Sequence, residues 1–567
     1  MIQSSVICCL LFLASALLAW PIGRFMSKVY SGNANRLDFL KPFEQFIFKT
    51  CGIDPAREMG WKQYLWAMVV INAVWLVFGF LVLLFQGRLF LNPAGNPSME
   101  WTLALNSVIS FITSTNLQHY AGESGATYLS QTGVFMFLQF VSAATSLAVG
   151  VAVVRALASR STAHLGNFFS DFVLSLTRIL LPLSVIAAIL FLFCGVPMTF
   201  EGAKTVHTLQ GDNITVATGP VAAFLPIKEL GANGGGFFGA NDAHPFENPD
   251  FLSFILHSVL VFLLPMAFVF FIGFYLKSTS FSKMIFMVMT IGFILITIPI
   301  IHQEITGNPR ITDMQIPNTG NMEGKEVRYG AFYTGFYAGE NAVIPAGTMV
   351  GVPDSFMPLS GLYMLTGMYI DAFFGGLGTG WINLFIFLII ALFIGSLMIG
   401  RTPEMFGRKI GIREMQITVG VAFLQSLIPF ALAGIATYTY IHTTVGNDNL
   451  QWLSNTGAHG FTTMLYEYIS SSAGNGSEFT GLGNATPFWN LTTCIAMLSG
   501  RFIPIIGALW IAGLLAEKTV TPPSSGTLRV DTLTFGFFLF AIIIILNVLS
   551  LFTSLILGPV FDSLFIK

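Results

Sequence analysis

Ten stretches of this chain are apolar over the length that a membrane crossing requires, and nothing else in the sequence narrows its fold as far. A span needs about 20 mostly apolar residues. Residues 4–22, 64–86, 131–154, 172–196, 251–276, 284–302, 417–439, 487–515 and 534–557 meet that condition, and 357–399 form one longer stretch interrupted by glycines. The composition agrees: the chain is 10% charged and 54% hydrophobic, against roughly 25% charged in a soluble domain. So sparse a charge excludes a soluble enzyme. A formal net charge of −2 offers no basic excess to neutralise phosphates, so no nucleic-acid partner is expected. The predicted fold class is an all-α polytopic membrane protein of about ten transmembrane helices, surrounded by the lipid bilayer.

Cysteine and histidine add little. Cys8, Cys9, Cys51, Cys194 and Cys494 are scattered without a C-x-x-C pair, which argues against a zinc site or a disulfide framework. No two histidines share an i, i+4 helix face, and His257 has no partner at helical spacing, so the sequence does not favour a membrane-embedded redox protein. The apolar run Val6 to Trp20 has Arg24 after it and no cationic side chain before it. It reads as a retained first helix rather than a signal peptide.

Cationic residues choose the orientation. With segment 23–63 on the inner side, the inner segments carry 17 of the 26 Lys and Arg and the outer segments 7. Both termini are therefore expected outside. Arg178 and Arg501 fall within spans. Arg178, near an inner end, reads as a snorkelling residue.

Four outer segments are long, and each holds a half-length apolar stretch, a polar turn and then a new span. The pairs are Trp101–Phe111 before Thr113–Gln118, Val221–Leu230 before Gly231–Gly236, Ala331–Ile344 before Pro345–Thr348, and Phe461–Ser470 before Gly474–Ser477. Asn116, Gly234, Gly347 and Gly476 align at intervals of 118, 113 and 129 residues, a degenerate internal repeat. The expected organisation is a first helix and inner segment over 1–63, repeats over 64–155, 172–276, 284–399 and 417–515, an inner loop over 400–416, and a last helix over 534–557. Each repeat reads as span, pore helix, span.

Backbone outside a helix is tolerated at membrane depth only where protein or a water-filled path satisfies it. Four turns of this kind around one axis would aim carbonyl oxygens inward, and such rings replace the water shell of a monovalent cation. The short helices point the negative ends of their dipoles at the same place. For one turn alone, an ordinary Asn-Gly surface turn is the simpler reading; four in register favour the pore. Nearby acids, Glu123, Asp242, Glu247, Glu340 and Glu478, serve either to concentrate cations at the mouth or as loop acids and caps. Arg501 lies in the middle of its span, where a cation is costly unless it faces a polar interior, and is expected to stand beneath the turns and repel ions moving straight inward. Gly375, Gly376, Gly378 and Gly380 interrupt the 357–399 stretch and match neither phosphate-loop pattern. They are expected to break a pore-lining helix and gate or divert the path.

Longer motifs carry a resemblance. They include Thr115-Asn-Leu-Gln-His-Tyr-Ala-Gly-Glu123, Asn233-Gly-Gly-Gly-Phe-Phe238, Asn241-Asp-Ala-His-Pro-Phe-Glu-Asn-Pro249, Gly400-Arg-Thr-Pro-Glu404, Thr486-Pro-Phe-Trp-Asn490, Gly500-Arg-Phe-Ile-Pro504 and Ser524-Ser-Gly-Thr-Leu528. Along essentially its whole length the chain resembles the potassium-binding subunits (KdpA) of bacterial Kdp potassium pumps. The resemblance implies a fold of the potassium channel superfamily with four pseudo-fourfold repeats, placed in the bacterial inner membrane. It implies assembly with the P-type ATPase KdpB, with KdpC and with the small KdpF, and potassium ion as the bound and transported ligand. The filter positions carried over are Ser114, Thr115, Asn116 and Gln118; Ala232, Asn233 and Gly234; Pro345, Ala346 and Gly347; and Gly474, Asn475 and Gly476. Arg501 matches the family's cation below the filter, and ions in the family then leave sideways toward the ATPase.

Two positions depart from the pattern. The third turn usually reads Ser-Cys-Gly and here reads Pro345-Ala-Gly, and Ala232 stands where Thr is expected. Proline keeps its carbonyl and donates no N–H, so it can line an ion path, while the lost hydroxyls remove support from the filter. Glu340 is unusual for the family. No nucleotide motif is present, and the longest inner segment, 23–63, is too short for a nucleotide domain. The expected role is a non-catalytic, potassium-translocating component of an ATP-driven pump. The rival within transport is a stand-alone Trk-like cation channel, which shares the four-repeat plan.

Overall fold

A computed structural model describes residues 2–159, 164–317, 319–444, 452–520 and 528–566. Ser524 to Thr527, Arg160 and Lys567 lie outside these residues. Among the described residues ten helices are long and apolar enough to cross a membrane: Ile2–Tyr30, Trp61–Arg88, Ser130–Ala158, Phe168–Phe193, Phe251–Tyr275, Thr279–Ile311, Thr379–Met398, Ile412–Thr443, Pro487–Ala516 and Leu533–Phe565. They fall on the ten expected stretches, and most run several residues past the apolar core. The first, for example, continues through Arg24 and Lys28 to Tyr30, because a polar end satisfies its backbone as well as an apolar one does.

Helix starts are written locally. Glu100 accepts from the Thr102 and Leu103 amides at 2.7 and 3.0 Å and starts the first short helix, Trp101–Ile112. Asp250 accepts from Ser253 N at 2.7 Å, and Thr486 precedes Pro487 at the start of a 30-residue helix. Caps of this kind contribute about 1 kcal/mol each. The other short helices are Val221–Leu230, Gly330–Val343 and Gly457–Ala473. All four short helices follow even-numbered spans, so alternating crossings place them on one side of the molecule.

The 357–399 stretch divides into Pro358–Ile370 and Thr379–Met398. Asp371 (φ +40°) ends the first piece in the left-handed region, and Gly378 (φ +79°) begins the second. The first span packs along the fifth so closely that a Cβ on Gly23 would lie 2.5 Å from Ala267 O.

The opposite side is tied down by buried cations. Arg408 is wholly buried and donates to Ala156 O at 2.7 Å and to Ser159 O, capping the end of the third span. Arg178 corrects the snorkelling expectation. It is 5% exposed and donates from Nε and Nη2 to the two oxygens of Glu44, both at 2.6 Å, and from Nη1 to Asp38 at 2.9 Å. Residues 41–50 fold back as a short helix, and this brings a carboxylate to the guanidinium. The bidentate pair satisfies the charge inside the protein, and hydration at the interface is not needed.

Candidate cation site

Each short helix ends in one of the expected turns, and the turns share a backbone rhythm. The first and third residues of the triplets have positive φ at Ser114 (+62°) and Asn116 (+55°), Ala232 (+48°) and Gly234 (+70°), and Gly474 (+72°) and Gly476 (+86°). A non-glycine residue there costs about 1–2 kcal/mol. The third turn keeps only Gly347 (+67°), because the ring of Pro345 locks φ negative. There the Ala346 amide instead donates to Ile344 O across a three-residue turn.

The turns close into a ring. A side chain on Gly234 would collide with Ala346 O and lie 2.9 Å from Asn475 O; one on Gly347 would collide with Asn475 O; one on Gly476 would collide with Thr115 O. Asn116 completes the circuit by donating from Nδ2 to Gly234 O at 2.8 Å. Each repeat therefore touches the next, and carbonyl oxygens of the third and fourth turns converge beside the second. Gln118 joins the first and second turns twice, accepting from Gly236 N at 2.7 Å and donating to Gly236 O at 3.1 Å. Ser114 Oγ donates to Asn233 Oδ1. Asn475 Nδ2 donates to Asn341 O of the third short helix at 2.7 Å. Gln118 N donates to Glu478 Oε1 at 3.2 Å and returns the fourth repeat to the first. The thirteen residues expected of a filter lie on these four turns, with Gln118 just beyond the first.

Arg501 lies below the ring, half-buried in the middle of Pro487–Ala516, and donates to Ser146 Oγ and to Ser142 O at 3.4 Å. It borders a cavity of about 20 Å³ lined also by Thr113, Thr115, Gly474, Asp371 and Asn383, room for about one water-sized occupant. The glycine-rich break packs against the same region. A side chain on Gly378 would collide with Ser146 O, and one on Gly380 with Gly375 O. Gly376 is more open, with Thr379 Oγ1 at 2.9 Å, while Gly375 abuts Asp371. Asp371 Oδ2 accepts from Asn383 Nδ2 at 2.6 Å, and Asn383 Oδ1 accepts from Gln425 Nε2 at 3.1 Å. These three polar residues border a second cavity of about 520 Å³, lined also by Ser426, Ser472 and Asn547.

The acids near the turns divide. Asp242, Glu247 and Glu340 are wholly buried, which corrects their placement at an open mouth. The return segment after the second turn folds over its own short helix, so Lys228 Nζ meets Asp242 Oδ1 at 2.5 Å, Glu247 Oε2 at 3.0 Å and Glu229 Oε1 at 3.4 Å. His257 finds a partner from another element: its Nδ1 lies 2.9 Å from Glu229 Oε1. Ligating atoms of Glu229, Asp242 and His257 all lie within 4.8 Å of one another, but the Lys228 ammonium among them already supplies the positive charge. Glu123 is exposed and caps Gly239 N at 2.6 Å. Glu478 receives the Gln118 amide.

Sequence reasoning missed Asp371, Tyr337, Asn341 and Thr348, and also Gln139, Ser142 and Ser146 of the third span. Gln139 Nε2 donates to Gly234 O at 3.2 Å, and Asn233 Nδ2 donates to Gln139 O at 2.8 Å. A signal was present. Residues 139, 142 and 146 form a polar stripe at helical spacing in an apolar span.

Ten spans, with four polar turns meeting beneath one surface, define a multi-pass membrane protein built to handle a small ion. The family model described as the potassium-transporting ATPase A subunit matches residues 9–564. The potassium-transporting ATPase potassium-binding subunit of Flavobacterium johnsoniae is 50% identical over 564 residues, 98% of each chain, and that of Bacteroides thetaiotaomicron is 45% identical over 550 residues, 97% of each. The chain belongs to this family of potassium-transport subunits. Its fold is also that of the potassium transporter TrkH from Vibrio parahaemolyticus, with a TM-score of 0.52 at 14% identity over 89% of this chain and 97% of that one.

Proposed function

We propose that this chain binds potassium in a filter formed by the four turns and passes it to an ATP-hydrolysing partner. The convergence of the Ala346 and Asn475 carbonyl oxygens beside Gly234 carries the reading. Carbonyl oxygens on several sides replace the hydration shell of a monovalent cation without binding it as a carboxylate would. The filter residues are Ser114, Thr115, Asn116 and Gln118, Ala232 to Gly234, Pro345 to Gly347, and Gly474 to Gly476. The four helix C-termini add negative potential at the same point.

Below the filter the guanidinium of Arg501 repels a cation moving straight on, while the carboxylate of Asp371 faces a sideways route. The ion then leaves through the lateral cavity past Asn383 and Gln425, with the glycine break at 375–380 as the movable wall. The energy comes from the ATPase KdpB, in a complex completed by KdpC and KdpF. The chain lies in the bacterial inner membrane with both termini and all four turns on the outer side. Purification from the native operon tests this reading. A co-purifying ATPase stimulated by potassium, with the stimulation lost in Gly234→Asp, supports it; stimulation that survives Gly234→Asp refutes the filter.

A further inference from the structure

The third turn is chemically bare. Pro345, Ala346 and Gly347 carry no side-chain donor or acceptor, whereas Ser114, Asn116, Asn233 and Asn475 all bond to a neighbouring element. A carbonyl ring selects between ions only if its oxygens are held in number and place, so the third turn must be held from outside itself.

The supports are visible. Thr348, next in sequence to Gly347, places Oγ1 within hydrogen-bonding reach of Asn341 Oδ1 and 3.3 Å from the Tyr337 hydroxyl. Tyr337 donates that hydroxyl to Asp242 Oδ2 at 2.5 Å, and Lys228 holds the other oxygen of Asp242. Asn341 O receives Asn475 Nδ2. Tyr337, Asn341, Thr348, Asp242 and Lys228 are all wholly buried. The bonds are closed off from bulk solvent, and each lost partner leaves a buried polar group unsatisfied. Thr348 has one hydroxyl proton to offer Asn341 Oδ1 or the Tyr337 oxygen, and when it points to Tyr337 the chain Lys228–Asp242–Tyr337–Thr348 reaches from the second repeat across to the third turn.

We propose that Tyr337 and Thr348, anchored through Asp242 to Lys228, are positioning residues that set potassium-over-sodium discrimination by fixing the third turn. They touch no ion. They replace from behind the anchoring that the triplet itself cannot provide. The inference rests on the filter reading above.

The test measures rubidium uptake, and its inhibition by sodium, in cells lacking other potassium uptake and expressing the chain from its native operon. Tyr337→Phe and Thr348→Val each remove one hydroxyl at nearly constant volume. The expected result is a maximal uptake rate, corrected for protein amount, within about twofold of the parent, with sodium inhibiting at about tenfold lower concentration, the size of one buried hydrogen bond to a charged network. Thr348→Ser, which keeps the hydroxyl, restores the parental sodium sensitivity. A merely structural role lowers protein amount and leaves the rubidium-to-sodium ratio alone. Gly347→Asp separates the two levels of the reading. If Gly347→Asp abolishes uptake while both hydroxyl variants keep the parental ratio, the positioning role is overturned and the filter stands. If Gly347→Asp transports normally, the filter falls and the positioning role with it.

Discussion

The carbonyl oxygen of Asn475 occupies the space that a side chain on Gly347 would take. Glycine is required there twice over: the backbone has φ +67°, and the fourth turn presses into the vacancy. Gly347→Ala should therefore displace a filter oxygen and lower rubidium uptake at least about tenfold. Gly474 makes the control. Its φ is +72°, but the nearest atom to an added Cβ is Ser114 O at 3.9 Å. Gly474→Ala should cost only the conformational term of about 1–2 kcal/mol, seen as a modest fall in melting temperature with most uptake retained.

Arg501 should act as a barrier. Replacing it with Gln removes the positive charge beside the 20 Å³ cavity and keeps a hydrogen-bond donor toward Ser146. Vesicles carrying Arg501→Gln should leak rubidium without ATP, at a rate well above the parent. An unchanged leak would count against the barrier role.

The buried pair Arg178–Glu44 should matter for stability and not for selectivity. Glu44→Gln leaves a guanidinium 5% exposed with its single bond to Asp38 and without its bidentate partner, a loss of about 1–3 kcal/mol. The double variant Arg178→Met with Glu44→Met should recover part of that loss, because no unpaired charge remains. Thermal unfolding in detergent reads both, and the rubidium-to-sodium ratio should not move.

A pH dependence is expected at the surface that carries the turns. His459, near the start of the fourth short helix and outside the ten spans, has Nε2 2.9 Å from Asp354 Oδ1 and Nδ1 2.9 Å from Asp562 Oδ2. The hydrogen bond to Asp354, followed by that to Asp562, pushes its pKa up from 6.5 to about 9. A raised folded-state pKa stabilises fully below the unfolded value, and the stabilisation is lost as pH rises through the folded one. Melting temperature should therefore fall between about pH 7 and pH 9.5, beyond any drift shown by His459→Asn, which lacks the titrating group.

The ten spans are legible in the sequence because one property, apolar length, decides them residue by residue. The turns are legible because Asn116, Gly234, Gly347 and Gly476 recur at near-constant spacing. Partners from distant segments are not. Arg178 reads as a snorkelling residue because nothing nearby in sequence reveals that Glu44, from the segment after the first span, folds back onto it. Asp242 and Glu247 read either as mouth acids or as loop acids and caps, because composition cannot tell a hydrated carboxylate from one bonded to Lys228. Asp371 is hidden beside conspicuous glycines, although the same glycines give the backbone room to bring it beneath the ring. The anchoring of the third turn depends on Tyr337 reaching across repeats to Asp242, a pairing set by how the short helices cross.

Locating a heavy monovalent cation in the structure is the most direct test. In rubidium or thallium, anomalous scattering should show density on the axis between Thr115, Asn233, Ala346 and Asn475, and none there when sodium replaces the heavy ion. Density that instead lies only at the cluster of Glu229, Asp242 and His257, or an empty ring at saturating rubidium, would contradict the assignment of the four turns as the potassium filter.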